Sequence, residues 1–199
     1  MKKAIVLFLF VALPVIAQDT AAIDKAVNDV LKQTDAPSAS VAIVRDGKIV
    51  YTHAYGLARI DPPLPAASDM RYSIGSISKQ FTASAILMLA EEGKLSLDDK
   101  MARWFPDLTD ASNVSIRELL SMTSGYQDFW PQDYVMPMML NPATPQEILN
   151  GWAKKPLDFE PGTKWQYSNT NYVIAGMIVE KVAGMPLVEL LQKRVFAPL

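Results

Sequence analysis

Between Ser76 and Ala90 the chain carries a single charge, Lys79, in a run that includes Ile77, Phe81, Ala85, Leu87, Met88 and Leu89. A helix with so little polar surface has to be enclosed by other elements. The segment from Ser76 to Glu92 is therefore expected to be a buried helix ended by Gly93, with much of the chain folded around it. Its one charge stands a turn beyond Ser76, and residues at i and i+3 share a helix face with side chains close enough to meet.

The elements available to wrap that helix can be read from periodicity. Ile23, Val27, Val30 and Leu31 have the spacing of an amphipathic helix over Ala21 to Leu31, which predicts packing across a sheet. Ser38 to Arg45 and Lys48 to Gly56 read as strands joined by Asp46-Gly47, the residues a two-residue hairpin turn favours. The Pro62-Pro63-Leu64-Pro65 run predicts a loop, because the rings fix φ and remove donors. Capping boxes at Ser96 with Asp99, Ser115 with Glu118, and Thr144 with Glu147 predict three helix starts, the last with Pro145 at its first position. Two more helices are expected, Asn171 to Val182 ended by Gly184 and Leu187 to Val195. The order predicts an α+β fold, a single unit with two lobes: an N-terminal β-hairpin of an antiparallel sheet, then a helical subdomain. Two strands are marginal alone, so further strands are expected beyond this sequence.

The chain has 199 residues, half of them apolar, enough for one domain with a sizeable core. A formal net charge of -2 without a basic stripe argues against nucleic acid as a partner. Met1-Lys2-Lys3, the apolar run Ala4 to Ala17 and the Val15-Ile16-Ala17 end have the form of a signal peptide over residues 1–17. A membrane span needs about 20 apolar residues. Residues 18–199 are then the mature part, periplasmic or secreted, with no stable membrane span once the signal is removed and an unspecified oligomeric state. The sequence has no cysteine and one histidine. Export without disulfides leaves stability to packing, and a metal centre or other cofactor is not expected.

The same scarcity narrows the chemistry. Without cysteine, and with His53 in a strand and no G-x-S-x-G elbow, covalent hydrolysis is left to a serine activated by another group. Ser76 at a helix start would have its alkoxide stabilised by unpaired backbone amides, and Gly75 would let a substrate approach closely. Lys79, as a free amine, could take the serine proton. The plainer reading of S-x-x-K is a capping serine followed by a solvated lysine. A second cluster, Tyr167-Ser168-Asn169, sets a phenol and an amide two residues apart, facing one way if the segment is extended. Alternatively Tyr167 is a core aromatic and Asn169 caps the next helix. Phe129, Trp130, Met136, Met138 and Met139 could line an acyl pocket or form a packed or mobile loop. Asp98-Asp99 and Glu91-Glu92 are read as solvated helix-end charges, and Arg71 and Trp165 as structural.

Three segments together resemble one family. Arg71-Tyr72-Ser73-Ile74-Gly75-Ser76-Ile77-Ser78-Lys79-Gln80-Phe81-Thr82-Ala83 is similar to the nucleophile segment of the serine beta-lactamase-related family, which includes class C beta-lactamases, D-alanyl-D-alanine peptidases and related esterases. Ile116 to Tyr126 resembles that family's helix and turn before the cleft. Phe159 to Gly184 resembles its Y-x-N region and following helix. The resemblance spans residues 38–199 and implies the beta-lactamase/transpeptidase-like fold. It also implies Ser76 as the acylated nucleophile, Lys79 and Tyr167 as its acid-base partners, and Asn169 as a substrate ligand.

The family's third motif, a strand with a basic residue or histidine followed by Ser or Thr and Gly, has no counterpart before Leu199. The resemblance therefore implies the N-terminal part of a domain whose closing strands lie further on. One missing oxyanion donor costs about 2.7 to 4 kcal/mol of transition-state stabilisation, so weak or no turnover is expected of these residues alone. Two functions stay open: an exported serine hydrolase acting on a beta-lactam, D-amino-acid peptide or ester, and a noncatalytic ligand-binding relative or inactive fragment.

Overall fold

A computed structural model describes residues 20–130 and 137–199. The leader read at 1–17 and Met136 lie outside them. Two compact units divide the chain, Met1–Ser73 and Ile74–Leu199.

In the first unit, helix α1 (Thr20–Thr34) precedes strands β1 (Ser38–Arg45) and β2 (Lys48–Arg59). The strands are antiparallel with Arg45 opposite Lys48, so Asp46-Gly47 is the whole loop. Both residues have positive φ, 51° and 72°, as the tightest hairpin turn requires. Asp24 of α1 accepts hydrogen bonds from Tyr55 (2.6 Å) and Tyr51 (3.0 Å) of β2. This ties helix to sheet through a carboxylate that the two phenols hold below its ordinary pKa, Tyr55 foremost. Desolvation, with the Asp24 bond second, raises the pKa of the Tyr55 phenol and keeps it protonated. His53 lies in β2 and packs edge-on against Tyr55, ring centres 4.6 Å apart.

The proline-rich segment departs from the expected loop, because Leu64–Pro65 forms a short strand, β3, antiparallel to β2. Proline is tolerated there because an edge strand need not donate outward. Val44 and Ile49 leave more than 60 % of their surface exposed, so apolar side chains on this sheet remain uncovered.

The second unit holds the core. Helix α2 (Lys79–Glu91) buries Ala85, Ile86 and Leu89 against α5 (Asn169–Ala183), which contributes Ile174, Ile178 and Val179. Helices α3 (Ile116–Leu120), α4 (Pro145–Ile148) and α6 (Leu187–Leu191) close around them with Met101, Val114 and Leu149. Full burial of one such aliphatic side chain stabilises by roughly 1.5–3 kcal/mol. The run beginning at Ser76 is thus enclosed on one side only: Ile77 (60 %) and Leu87 (46 %) stay exposed.

The capping boxes at Ser115 and Thr144 are both formed. Ser96 differs, since Asp99 accepts its amide (2.8 Å) but no α-helix starts there and only a 3-10 turn follows, at Met101–Arg103. Lys100 turns extended and bridges to Ser115, diverting the chain before a second turn can form. Gly184, at φ 67°, ends α5 in the left-handed conformation. After α6 the chain continues as a π-helical turn over Gln192–Phe196, where a plain α-helix was expected. Asp98 pairs with Arg117 at 3.0 Å, Asp99 with Arg103, and Glu92 with Lys94 at 2.8 Å and with Arg194, so most of the acidic pairs are exposed ion pairs. No helix among the described residues is long and apolar enough to cross a membrane.

Candidate active site

Ser76 does not open an α-helix. Gly75–Ser78 forms a 3-10 turn and α2 begins only at Lys79. That tighter winding eclipses side chains at i and i+3, and it aligns the serine with the lysine: Lys79 Nζ donates to Ser76 Oγ at 3.0 Å. Gly75 serves through its conformation, φ 50°, and not through crowding, because a Cβ there would meet nothing within 4 Å. The neighbouring hydroxyl, Ser78, is occupied by the Gly75 carbonyl at 2.7 Å.

The second cluster arrives from α5. Ser168 is extended and Asn169 is the first helical residue, yet Tyr167 and Asn169 still face the same way. Tyr167 OH lies 2.5 Å from Ser76 Oγ, and Lys79 Nζ donates to Asn169 Oδ1 at 2.6 Å. Lys79 Nζ also stands 4.9 Å from the Tyr167 ring centre. All four residues singled out in the sequence, Ser76, Lys79, Tyr167 and Asn169, therefore meet. The solvated-lysine and core-tyrosine alternatives do not match this arrangement: Lys79 is half-buried and triply engaged, and Tyr167 points its hydroxyl at the serine.

Asn169 is not the cap of α5, and Ser168 at the cap position makes no capping bond. The cap is supplied from outside by Asp128, whose Oδ1 accepts the Asn169 amide at 2.8 Å and the Trp130 amide at 3.1 Å. Its Oδ2 accepts the Asn169 side-chain nitrogen at 3.1 Å, and the Trp130 carbonyl accepts the same nitrogen at 3.4 Å. With Nδ2 turned toward two acceptors, Oδ1 is left to face Lys79. Asp128 thus sets the orientation of the amide, a role invisible in sequence because no short-range pattern links residues 128 and 169.

The loop carrying Asp128 is fastened at several points. Gly125, φ 83°, passes so close to the next segment that a Cβ would lie 2.3 Å from the Phe159 carbonyl oxygen. Ser124 donates to Asn171 Oδ1 at 2.7 Å, and Met122, at φ 63°, offers its sulfur to the buried Ser168 amide at 3.4 Å. Phe129 and Trp130 follow Asp128 and, with Gly75, Ser76, Ser78, Lys79 and Asn169, line a cleft of about 360 Å³. This agrees with the pocket-lining alternative for those two aromatics. Met136 lies outside the described residues, and Trp165, expected to be structural, is 67 % exposed.

A second phenol stands near the lysine. Tyr172 lies 5.7 Å from Lys79 Nζ by ring centre and donates to the Leu120 carbonyl at 3.1 Å. Burial, and secondarily the neighbouring Tyr167, pushes its pKa up, so it stays a phenol. Tyr167 is the tyrosine with its hydroxyl within reach of Ser76. The site can then pass a proton from a nucleophilic hydroxyl to an adjacent free amine or phenolate while the cleft holds a carbonyl compound. Among the described residues no cluster of acidic, histidine or cysteine side chains could hold a metal ion.

Residues 23–199 match the family model described as Beta-lactamase. Penicillin-binding protein 4* of Bacillus subtilis is 34% identical over 161 residues, 80% of this chain and 36% of that protein. A D-aminopeptidase of Brucella anthropi is 33% identical over 184 residues, 90% of this chain and 35% of that one. The crystal structure of D-amino acid amidase from Ochrobactrum anthropi SV3, complexed with D-phenylalanine, superposes with a TM-score of 0.80 at 33% identity. It covers 90% of this chain and 50% of the amidase chain. The chain thus spans about a third of the length of these curated relatives.

Proposed function

The chain belongs to the Beta-lactamase family, with the beta-lactamase/transpeptidase-like fold, and from that membership we propose that it is the N-terminal part of an exported serine hydrolase that works through an acyl-enzyme. Ser76 is the nucleophile, Lys79 and Tyr167 carry its proton, and Asn169 binds the substrate amide or carbonyl. The substrate is a beta-lactam, a D-amino-acid peptide or an ester. The names of the relatives support this class: one is a penicillin-binding protein and one a D-aminopeptidase.

One observation carries the reading. Ser76 Oγ lies within hydrogen-bond reach of both Tyr167 OH, at 2.5 Å, and Lys79 Nζ, at 3.0 Å. In the reaction Ser76 Oγ bonds to the substrate carbonyl carbon as its proton passes to Tyr167 as a phenolate or to Lys79 as a free amine. Collapse of the tetrahedral adduct breaks the bond to the leaving nitrogen or oxygen, which takes up that proton. Water then attacks the acyl carbon, giving a proton to the same pair, and Ser76 recovers its own on release of the acid. Met1-Lys2-Lys3 and the apolar run after it support export to the periplasm or outside.

Labelling with a fluorescent penicillin and with a fluorophosphonate tests the proposal. Label incorporated by the native chain and absent from Ser76→Ala supports it. Equal labelling of both proteins rules against Ser76 as the nucleophile, and labelling of neither favours the noncatalytic or inactive-fragment reading.

A further inference from the structure

The backbone that carries Tyr167 is held on both sides by one residue, Met122. The Met122 carbonyl accepts the Gln166 amide at 3.0 Å, and its sulfur accepts the Ser168 amide at 3.4 Å. Alternate amides of an extended segment point to the same side, and Ser168 is extended, at φ −146° and ψ 116°. Two bonds to Met122 therefore fix the stretch on which the Tyr167 ring stands. The sulfur has a second donor, Asn171 Nδ2 at 3.7 Å, which ties the same bracket to the first turn of α5.

Met122 does this from the left-handed region, at φ 63°. The other described non-glycine residues with positive φ are Asp35, Asp46 and Asp110, and aspartate visits that region because its short side chain can hydrogen-bond locally. Methionine has no such compensation, so its surroundings must impose the conformation, and strain of this kind collects at functional sites. Met122, Ser168 and Asn171 are all buried, so the thioether meets its donors away from water. A thioether is a weak acceptor, but a buried amide left without any partner loses its full hydration.

We infer that Met122 is a positioning residue for Tyr167: its carbonyl and sulfur together hold the tyrosine oxygen 2.5 Å from Ser76 Oγ. The inference rests on the serine-hydrolase reading, in which Tyr167 helps to carry the serine proton, and adds a residue that acts only through the tyrosine. A methionine that merely filled space could be exchanged for leucine at little cost.

That difference supplies the test. Met122→Leu keeps the volume, the backbone requirement and the carbonyl, but turns carbon toward the Ser168 amide. Labelling rates with fluorescent penicillin and fluorophosphonate are measured for the native chain, Met122→Leu, Tyr167→Phe and the double variant. Displacing a reacting group by about 1 Å costs on the order of 10²-fold, so Met122→Leu is expected to acylate roughly 10- to 100-fold more slowly. In the Tyr167→Phe background the same change is expected to alter the rate by less than about twofold, because the hydroxyl it positions is gone. Equal losses in both backgrounds, or a Met122→Leu rate within about twofold of native, overturn the inference and leave the hydrolase reading standing. Met122→Gly also removes the sulfur, and glycine is at ease at positive φ, so it takes the place of the leucine variant should that one misfold. If no labelling depends on Ser76, the hydrolase reading fails and the NMR ring resonances of Tyr167 decide alone. Resonances shifted by Met122→Leu sustain the positioning role, and unmoved ones overturn it.

Discussion

Replacing Asp128 separates a structural role from one in orienting the reacting groups. Asp128→Ala removes three accepted hydrogen bonds, from the amides of Asn169 and Trp130 and from Asn169 Nδ2. Loss of a helix cap costs about 0.5–2 kcal/mol, and a hydrogen bond to a charged acceptor contributes roughly 1.5–3 kcal/mol, toward the lower end at a half-exposed position. The expected destabilisation is about 2–4 kcal/mol. Asp128→Asn is the sharper probe. Its carbonyl can keep both backbone amides, but its NH2 then faces the NH2 of Asn169. Relief requires the Asn169 amide to flip, presenting nitrogen to Lys79 where oxygen now accepts at 2.6 Å. The variant should lose only about 1 kcal/mol in urea denaturation yet acylate roughly 10- to 150-fold more slowly, the rate equivalent of one charged hydrogen bond. Urea curves, penicillin or fluorophosphonate labelling rates, and the NMR shifts of the Asn169 side-chain amide measure the three effects. Labelling within twofold of native and unmoved Asn169 resonances in Asp128→Asn would refute the orienting role.

Other outcomes follow from the same geometry. Tyr167→Phe, which keeps the ring beneath the lysine but removes the oxygen 2.5 Å from Ser76, should slow acylation by roughly 10²- to 10⁴-fold if the phenol is the acid-base group. An unchanged labelling rate would assign the proton to Lys79 alone. Ile178→Ala, at a fully buried position between α2 and α5, should cost about 2–5 kcal/mol in urea denaturation; a change below 1 kcal/mol would mean the core is not packed as described. Asp24, Glu92, Asp98, Asp107 and Glu147 all have lowered folded-state pKa values, held by hydrogen bonds from phenols, cations or the Thr144 amide. The unfolded chain therefore binds protons more readily, and the stability these groups contribute is present above the ordinary carboxylate values of 3.8 and 4.5 and lost as pH falls through the folded ones. The urea midpoint should fall on acidification below those values, less steeply in Asp98→Asn and Glu147→Gln; a midpoint that rises would contradict the sign.

What the sequence disclosed and what it hid divide along physical lines. Local rules placed the hairpin at Asp46-Gly47, the caps at Ser115 and Thr144, and the end of α5 at Gly184, because each depends on residues a few positions apart. The four residues that meet in the cleft were legible as two short motifs. Their meeting was foreseeable only from the resemblance, since nothing local brings residue 76 to residue 167. Tertiary contacts overrode local signals elsewhere. Ser96 and Asp99 form their turn and then lose the chain to a bridge with Ser115. The apolar run at Ser76 opens as a 3-10 turn, and Ile77 and Leu87 remain in solvent. Asp128 stayed hidden because its carboxylate acts on residues far along the chain.

The close pass of Gly125 over the Phe159 carbonyl bears on how this gene tolerates change. Every base substitution that replaces a glycine codon's residue installs a Cβ, and here any Cβ would collide with backbone oxygen at a positive φ. In a saturation library, codon 125 should read as a near-empty column beside the permissive exposed position at Ser121. The loop that aims the amide at Lys79 is therefore a narrow mutational target whose loss cannot be repaired by choosing a smaller side chain, because none exists.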